Sequence, residues 1–125
     1  MEGYEVKVAN CTKTLNGKER VAIKDISNAV KLDSVVTPDN KFEIIPDYTA
    51  ILNVHNENAE NKDYNIFVIV AKDGTKYITS SNSFISSFNG IAEEMADEDE
   101  EWGILVHKIE SKNFKGRYFL TCSII

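Results

Sequence analysis

The run from Asn65 to Ala71, Asn-Ile-Phe-Val-Ile-Val-Ala, restricts the possible folds of this chain more than any other stretch. Successive β-branched and aromatic side chains suit an extended segment buried on both faces or set in a barrel wall. Seven residues are far too few to cross a membrane as a helix. Lys72-Asp73-Gly74 breaks the run, and Thr75 to Thr79 begins to alternate again. Asp73-Gly74 supplies the positive φ that a two-residue hairpin turn requires, so a β-hairpin is predicted over 65–79. Just past the turn Tyr77 stands among Lys76, Thr79 and Ser80. An exposed ring with polar and basic neighbours is the first candidate for contact with something flat.

Around this hairpin the remaining segments read mostly as strands. Gly3 to Ala9 alternates, with Tyr4, Val6 and Val8 on one face and Glu5 and Lys7 on the other. Asn16-Gly17 is a turn signal, and Arg20 to Lys24 after it reads as a short strand. Asp25 to Asp33 fits either a strand or one helical turn. Lys41 to His55 is predicted as one long strand: Phe42, Ile44, Tyr48, Ala50, Leu52 and Val54 keep a single phase across Pro46, which implies an edge position or a bulge there. After the Ser/Thr-rich step 79–83, Phe84, Phe88, Ile91 and Met95 recur at helical spacing, widened by Ile85 and Ala92. Trp102 to Ile109 and Arg117 to Ile125, joined by a polar turn, complete a final hairpin, with the C-terminus expected in the sheet and no acidic tail beyond it. Strands, one helix and two more strands predict a mainly β domain spanning 1–125. The expected form is an OB-fold-like barrel with its one α-helix between the third and fourth barrel strands.

The net charge of −6 argues at first against nucleic acid, which ordinarily needs a basic face. Its distribution is uneven: seven of the nine residues from Glu93 to Glu101 are acidic, and removing those seven negative charges leaves +1. The block reads as a solvated loop or an interaction segment. Met1 to Lys7 contains two acids and no apolar stretch, so neither a signal peptide nor a membrane helix is expected, and a cytoplasmic location is. Cys11 and Cys122 lack CxxC spacing and read as small core residues, the alternative being a disulfide between terminal strands.

No nucleophile motif, metal-ligand spacing or glycine-rich phosphate loop is present, so neither an enzyme nor a cofactor or metal site is expected. His55 and His107, the two histidines, read as sheet residues without a second ligand at fixed spacing. The acidic block lacks the glycine and ligand alternation of a calcium loop. Binding is better supported. Lys108, Lys112, Lys115 and Arg117 lie in or beside the final turn, interleaved with Phe114 and Tyr118, and Gly116 lets the backbone bend. Cations can neutralise phosphates while rings stack on bases. The plain alternative is a soluble lysine-rich turn with Tyr118 in the core.

Val70-Ala-Lys-Asp-Gly-Thr-Lys-Tyr77, the helix opening from a Ser/Thr-rich step, and the closing hairpin with Ser111-Lys-Asn-Phe-Lys-Gly116 resemble the small single-stranded DNA-binding proteins of tailed phages of Gram-positive bacteria. The protein-primed Bacillus phages have the best-known relatives. The resemblance runs from about Thr14 onward and implies a sequence-independent coat on single strands during phage DNA replication. It also implies that tyrosines contact DNA, of which the one after the Asp-Gly turn matches Tyr77. Other family tyrosines fall where this chain has Ile51 and Asn58. Tyr48, His55 and Tyr64 lie near enough to stand in for them. The expected DNA-contacting set is thus Tyr77, Lys76, Tyr48, His55, Tyr64, Lys108, Lys112, Phe114, Lys115 and Arg117. The competing reading is an acidic protein-interaction module, or a phage inhibitor of a host nucleic-acid enzyme. In it the 93–101 segment, above all Glu98, Asp99, Glu100 and Glu101, imitates phosphates or meets replication proteins.

Overall fold

Alternating and continuous apolar runs account for most of the elements in a computed structural model of the protein, which describes residues 3–58, 60, 62–98 and 100–125. In order these are β1 (Tyr4–Cys11), α1 (Gly17–Lys24), β2 (Val30–Lys31), α2 (Leu32–Val35), β3 (Phe42–Ile44), β4 (Pro46–Asn56), β5 (Asp63–Ala71), β6 (Lys76–Thr79), α3 (Asn82–Met95), β7 (Ile104–Glu110) and β8 (Tyr118–Ile124). The protein is mainly β, with a five-stranded sheet in the order β1-β4-β5-β6-β2 and a three-stranded sheet in the order β3-β7-β8. Neither sheet closes into a barrel. The expected OB-fold-like barrel is therefore not found as one closed sheet. The chain divides into two compact units, residues 1–30 with 47–80 and residues 31–46 with 81–125.

The first unit is built on the stretch 65–79. Ile66 to Ala71 is buried throughout, as a run without alternation requires. Ile66, Val68, Val70 and Ile78 pack with Ala50, Leu52 and Val54 of β4 and with Ile23 of α1. The turn differs in detail from expectation. Ala71 accepts from the Gly74 amide at 2.9 Å and donates to Thr75 O at 2.9 Å, which makes a three-residue loop. Only Gly74 has a positive φ there, 91°, and Asp73 instead takes the Thr75 amide on its carboxylate at 2.9 Å. This is the loop in which a left-handed glycine follows a tight turn.

Two further expectations are corrected and one open reading is resolved. Arg20 to Lys24 is helical, because Asn16 and Glu19 form a capping box: the Asn16 side chain accepts from the Glu19 amide at 2.9 Å and Glu19 accepts from the Asn16 amide at 3.2 Å. The ambiguous segment 25–33 supplies β2 and the start of α2. The single strand expected over 41–55 is two, β3 and β4, in different sheets and divided at Ile45-Pro46. A proline cannot donate to a ladder, and here it opens β4.

The second unit pairs the helix with the last hairpin. Ser81 caps α3 by accepting from the Phe84 amide at 3.4 Å, and Phe84 and Phe88 are buried. Phe88 also lies 5.9 Å from the Trp102 ring. α3 packs on β8, tied by hydrogen bonds of 2.7 Å from Ser83 Oγ to Leu120 O and between the Ser87 and Thr121 hydroxyls. Cys11 and Cys122 are both free thiols; Cys122 is buried and Cys11 half-buried. Burial pushes the Cys122 thiol up to about 11.

Candidate nucleic-acid interface

The turn between β7 and β8 concentrates cations and rings because neither strand has core to cover at its far end. The two strands pair from Ile104↔Ile124 to Glu110↔Tyr118, and burial is confined to the near half: Ile104, Val106, Leu120, Thr121 and Cys122. Beyond Leu120 the side chains are open. Phe114 is 59% exposed, Tyr118 46% and Phe119 40%. The tip is closed by Ser111 N donating to Arg117 O at 2.8 Å and Arg117 N donating to Phe114 O at 3.1 Å. Gly116 at φ 82° makes the left-handed bend, with its amide donating to the Glu110 carboxylate at 3.3 Å.

The geometry at this tip combines a ring with a cation. The Arg117 guanidinium lies 5.5 Å from the Phe114 ring centroid, within cation–π range. Lys112 and Lys115, both exposed, flank the same ring in sequence. Four of the expected residues, Lys112, Phe114, Lys115 and Arg117, are thereby brought together. Lys108 is not with them in role, because its ammonium donates to Asp33 O at 3.0 Å. Tyr118 is exposed, contrary to a core reading, and Phe119 was not expected at all. The missed signal is the distance from the turn: in a hairpin the residues nearest the loop leave the core first.

The hairpin of the first unit does not offer the ring expected of it. Tyr77 is 7% exposed, and burial raises its hydroxyl above the ordinary tyrosine range. It pairs with Ile69 on the face that also buries Phe67 and Thr79, so strand alternation and not the neighbouring lysine decides its side. Lys76 is likewise engaged in the fold. Its ammonium donates to Ala22 O at 2.7 Å and to Asp25 O, closing the C-terminal end of α1.

Tyr48, His55 and Tyr64 lie on the five-stranded sheet and are all half-buried. Lys13 stands over the Tyr48 ring at 5.0 Å, but its charge is shared with Glu19 at 3.0 Å. His55 and Tyr64 line a shallow groove of about 570 Å³ with Glu5, Lys7, Asn53 and Asp63. His55 is held from both sides, Nδ1 at 2.7 Å from Asp63 and Nε2 at 2.6 Å from Glu57. These bonds to Asp63 and Glu57 raise its pKa above 6.5. The carboxylates leave this groove poorly suited to phosphate.

Glu93, Glu94, Asp97, Glu98, Glu100 and Glu101 are exposed on the end of α3 and the segment after it, while Asp99 lies outside the described residues. His107 is a half-buried sheet residue, its Nε2 3.0 Å from Ser123 Oγ. Among the described residues no cluster of His, Cys, Asp or Glu has metal-site geometry, and no helix is long and apolar enough to cross a membrane.

A family model described as Phage Single-stranded DNA-binding protein matches residues 5–125. No curated protein matches the chain, and no solved structure does. The family match takes in both sheets, α3 and the whole basic hairpin, and the family is a non-enzymatic, DNA-binding one. The chain belongs to the family of phage single-stranded DNA-binding proteins.

Proposed function

We propose that the protein coats single-stranded DNA during phage replication without regard to sequence, and that the β7–β8 tip is where it grips the strand. The observation that carries this reading is Phe114, 59% exposed and backed by the Arg117 guanidinium at 5.5 Å. A large ring held in water by a bent, glycine-containing turn contributes nothing to a core. It offers a π-face to any base, and each stacked base is worth roughly 1–3 kcal/mol. Lys112, Lys115 and Arg117 supply the phosphate contacts, and Tyr118 and Phe119 extend the stacking surface. Tyr48, Tyr64 and His55 enter as secondary contacts of the other unit, weakened by the nearby carboxylates. An OB-fold-like barrel belongs to the same proposal. Its support is the chain order β4, β5, β6, α3, β7, β8: three strands, a helix and two strands.

Titration of an oligodeoxythymidine and of a duplex of equal length tests the proposal. Binding is expected for the single strand alone, falling with salt at a logarithmic slope of about −2 for three phosphate contacts. Equal affinity for the duplex would oppose it.

The exposed carboxylates of Glu98, Glu100 and Glu101 favour a second reading, in which the acidic segment contacts replication proteins or a host nucleic-acid enzyme. Neutralising them, together with Asp99, would then impair replication while oligonucleotide affinity persists.

A further inference from the structure

The outer side of α3 holds an open feature that DNA binding leaves unused. Between α3 and the end of β8 lies a groove of about 440 Å³, lined by Gly90, Ile91, Met95 and Ile124 with Ser86 and Glu94 among its walls. The surface it presents is almost wholly carbon. The hydroxyl of Ser87, which also borders it, is engaged with Thr121 at 2.7 Å. Ile124 remains 49% exposed beside it.

Gly90 is the informative residue. Glycine is the poorest helix former after proline. Its backbone here is not left-handed: among the described residues positive φ is confined to Gly3, Gly74 and Gly116. Nor is it required by crowding, since a Cβ at position 90 would meet nothing within 4 Å. Neither conformation nor close approach requires glycine here, and its missing side chain leaves the groove open. The charge around the opening defines the kind of occupant. Glu94 is in the wall, and Glu93, Asp97 and Glu98 are exposed next to it in the chain. An apolar floor with Glu94 in its wall and an acidic stretch of chain following it matches apolar side chains flanked by lysines or arginines.

We infer that this groove docks a basic, amphipathic segment of a partner protein. A probe for it is a fluorescent synthetic peptide of about eighteen residues, built of leucine and lysine so that one helical face is apolar. Anisotropy with the full chain at about 0.15 M salt should show saturable one-to-one binding. Gly90→Leu fills the groove, suits a helix better and leaves every carboxylate in place. It should weaken the peptide roughly tenfold or more with no fall in melting temperature. Ile124→Lys, a surface change that repels the peptide, should do the same and decides the matter if Gly90→Leu does not fold. Glu94→Gln should weaken binding by a smaller factor. The inference is overturned if the wild-type chain does not bind the peptide. It is also overturned if the folded Gly90→Leu and Ile124→Lys proteins bind it as tightly as wild type, because the acidic surface alone would then be responsible. Self-association of the wild type that Gly90→Leu abolishes would make a second copy the occupant and would likewise overturn it.

Discussion

Tyr77 and Phe114 differ in accessibility for a reason that lies in their strands and turns. Tyr77 falls on a strand buried on both faces, opposite Ile69, and its polar neighbours in sequence say little because Thr79 is itself buried. Phe114 lies in a turn with nothing beneath it. Removing the Tyr77 ring should therefore cost stability, about 3 kcal/mol for Tyr77→Ala by analogy with other buried rings, as measured by urea unfolding. A loss below about 1 kcal/mol would mean that the ring is not part of the core. His55 supplies a test in pH. Its pKa is raised above 6.5, first by the hydrogen bond to Asp63 and then by that to Glu57. A group raised on folding stabilises fully below its unfolded pKa and loses that effect as pH rises through the folded value. The melting temperature of the wild type relative to His55→Gln should accordingly be higher at about pH 5.5 than at about pH 8.5. A difference independent of pH would show that the imidazolium cluster contributes no such linkage.

At the scale of elements, what was legible in the sequence depended on whether one periodicity dominated. The run Ile66 to Ala71 and the stripe Phe84, Phe88, Ile91, Met95 had no competing reading, and β5 and α3 stand where they were expected. α1 was misread because Val21, Ala22 and Ile23 suit a strand. Only Ile23 is buried, Val21 is 71% exposed, and the local signal Asn16-x-x-Glu19 prevails. Replacing Asn16 by Ala removes one half of that capping box and should lower stability by about 1 kcal/mol in denaturant unfolding. No measurable change would imply that packing of Ile23 alone holds the helix. β3 and β4 could not be separated in advance, since a period of two is preserved across Ile45-Pro46 whether the chain stays in one sheet or changes to another. The hairpin tip was partly legible: Lys112, Phe114, Lys115 and Arg117 follow from composition around a turn. The withdrawal of Lys76 and Lys108 into backbone hydrogen bonds depends on contacts with Ala22, Asp25 and Asp33, which are distant in sequence.

Across the whole molecule, a net charge of −6 coexists with a DNA-binding family because charge is segregated along the chain. Seven of the twenty acidic residues crowd into 93–101, while the basic tip at 112–117 contains no carboxylate. Average charge thus misleads where local charge does not, and screening over roughly 10 Å at moderate salt keeps the two fields largely separate once they are farther apart than that. The mainly β character and α3 were foreseeable, but eight strands, two further helices and partition into two open sheets among the described residues were not, because pairing between distant strands leaves no periodic trace in the sequence. The central claim, that the β7–β8 tip grips single-stranded DNA through an exposed ring, rests most directly on Phe114. Titration of a labelled oligodeoxythymidine with wild type and with Phe114→Ala at low salt should show binding weakened roughly tenfold by loss of one stacking platform, with the melting temperature unchanged. Equal affinity of the two proteins for the oligonucleotide would contradict the account.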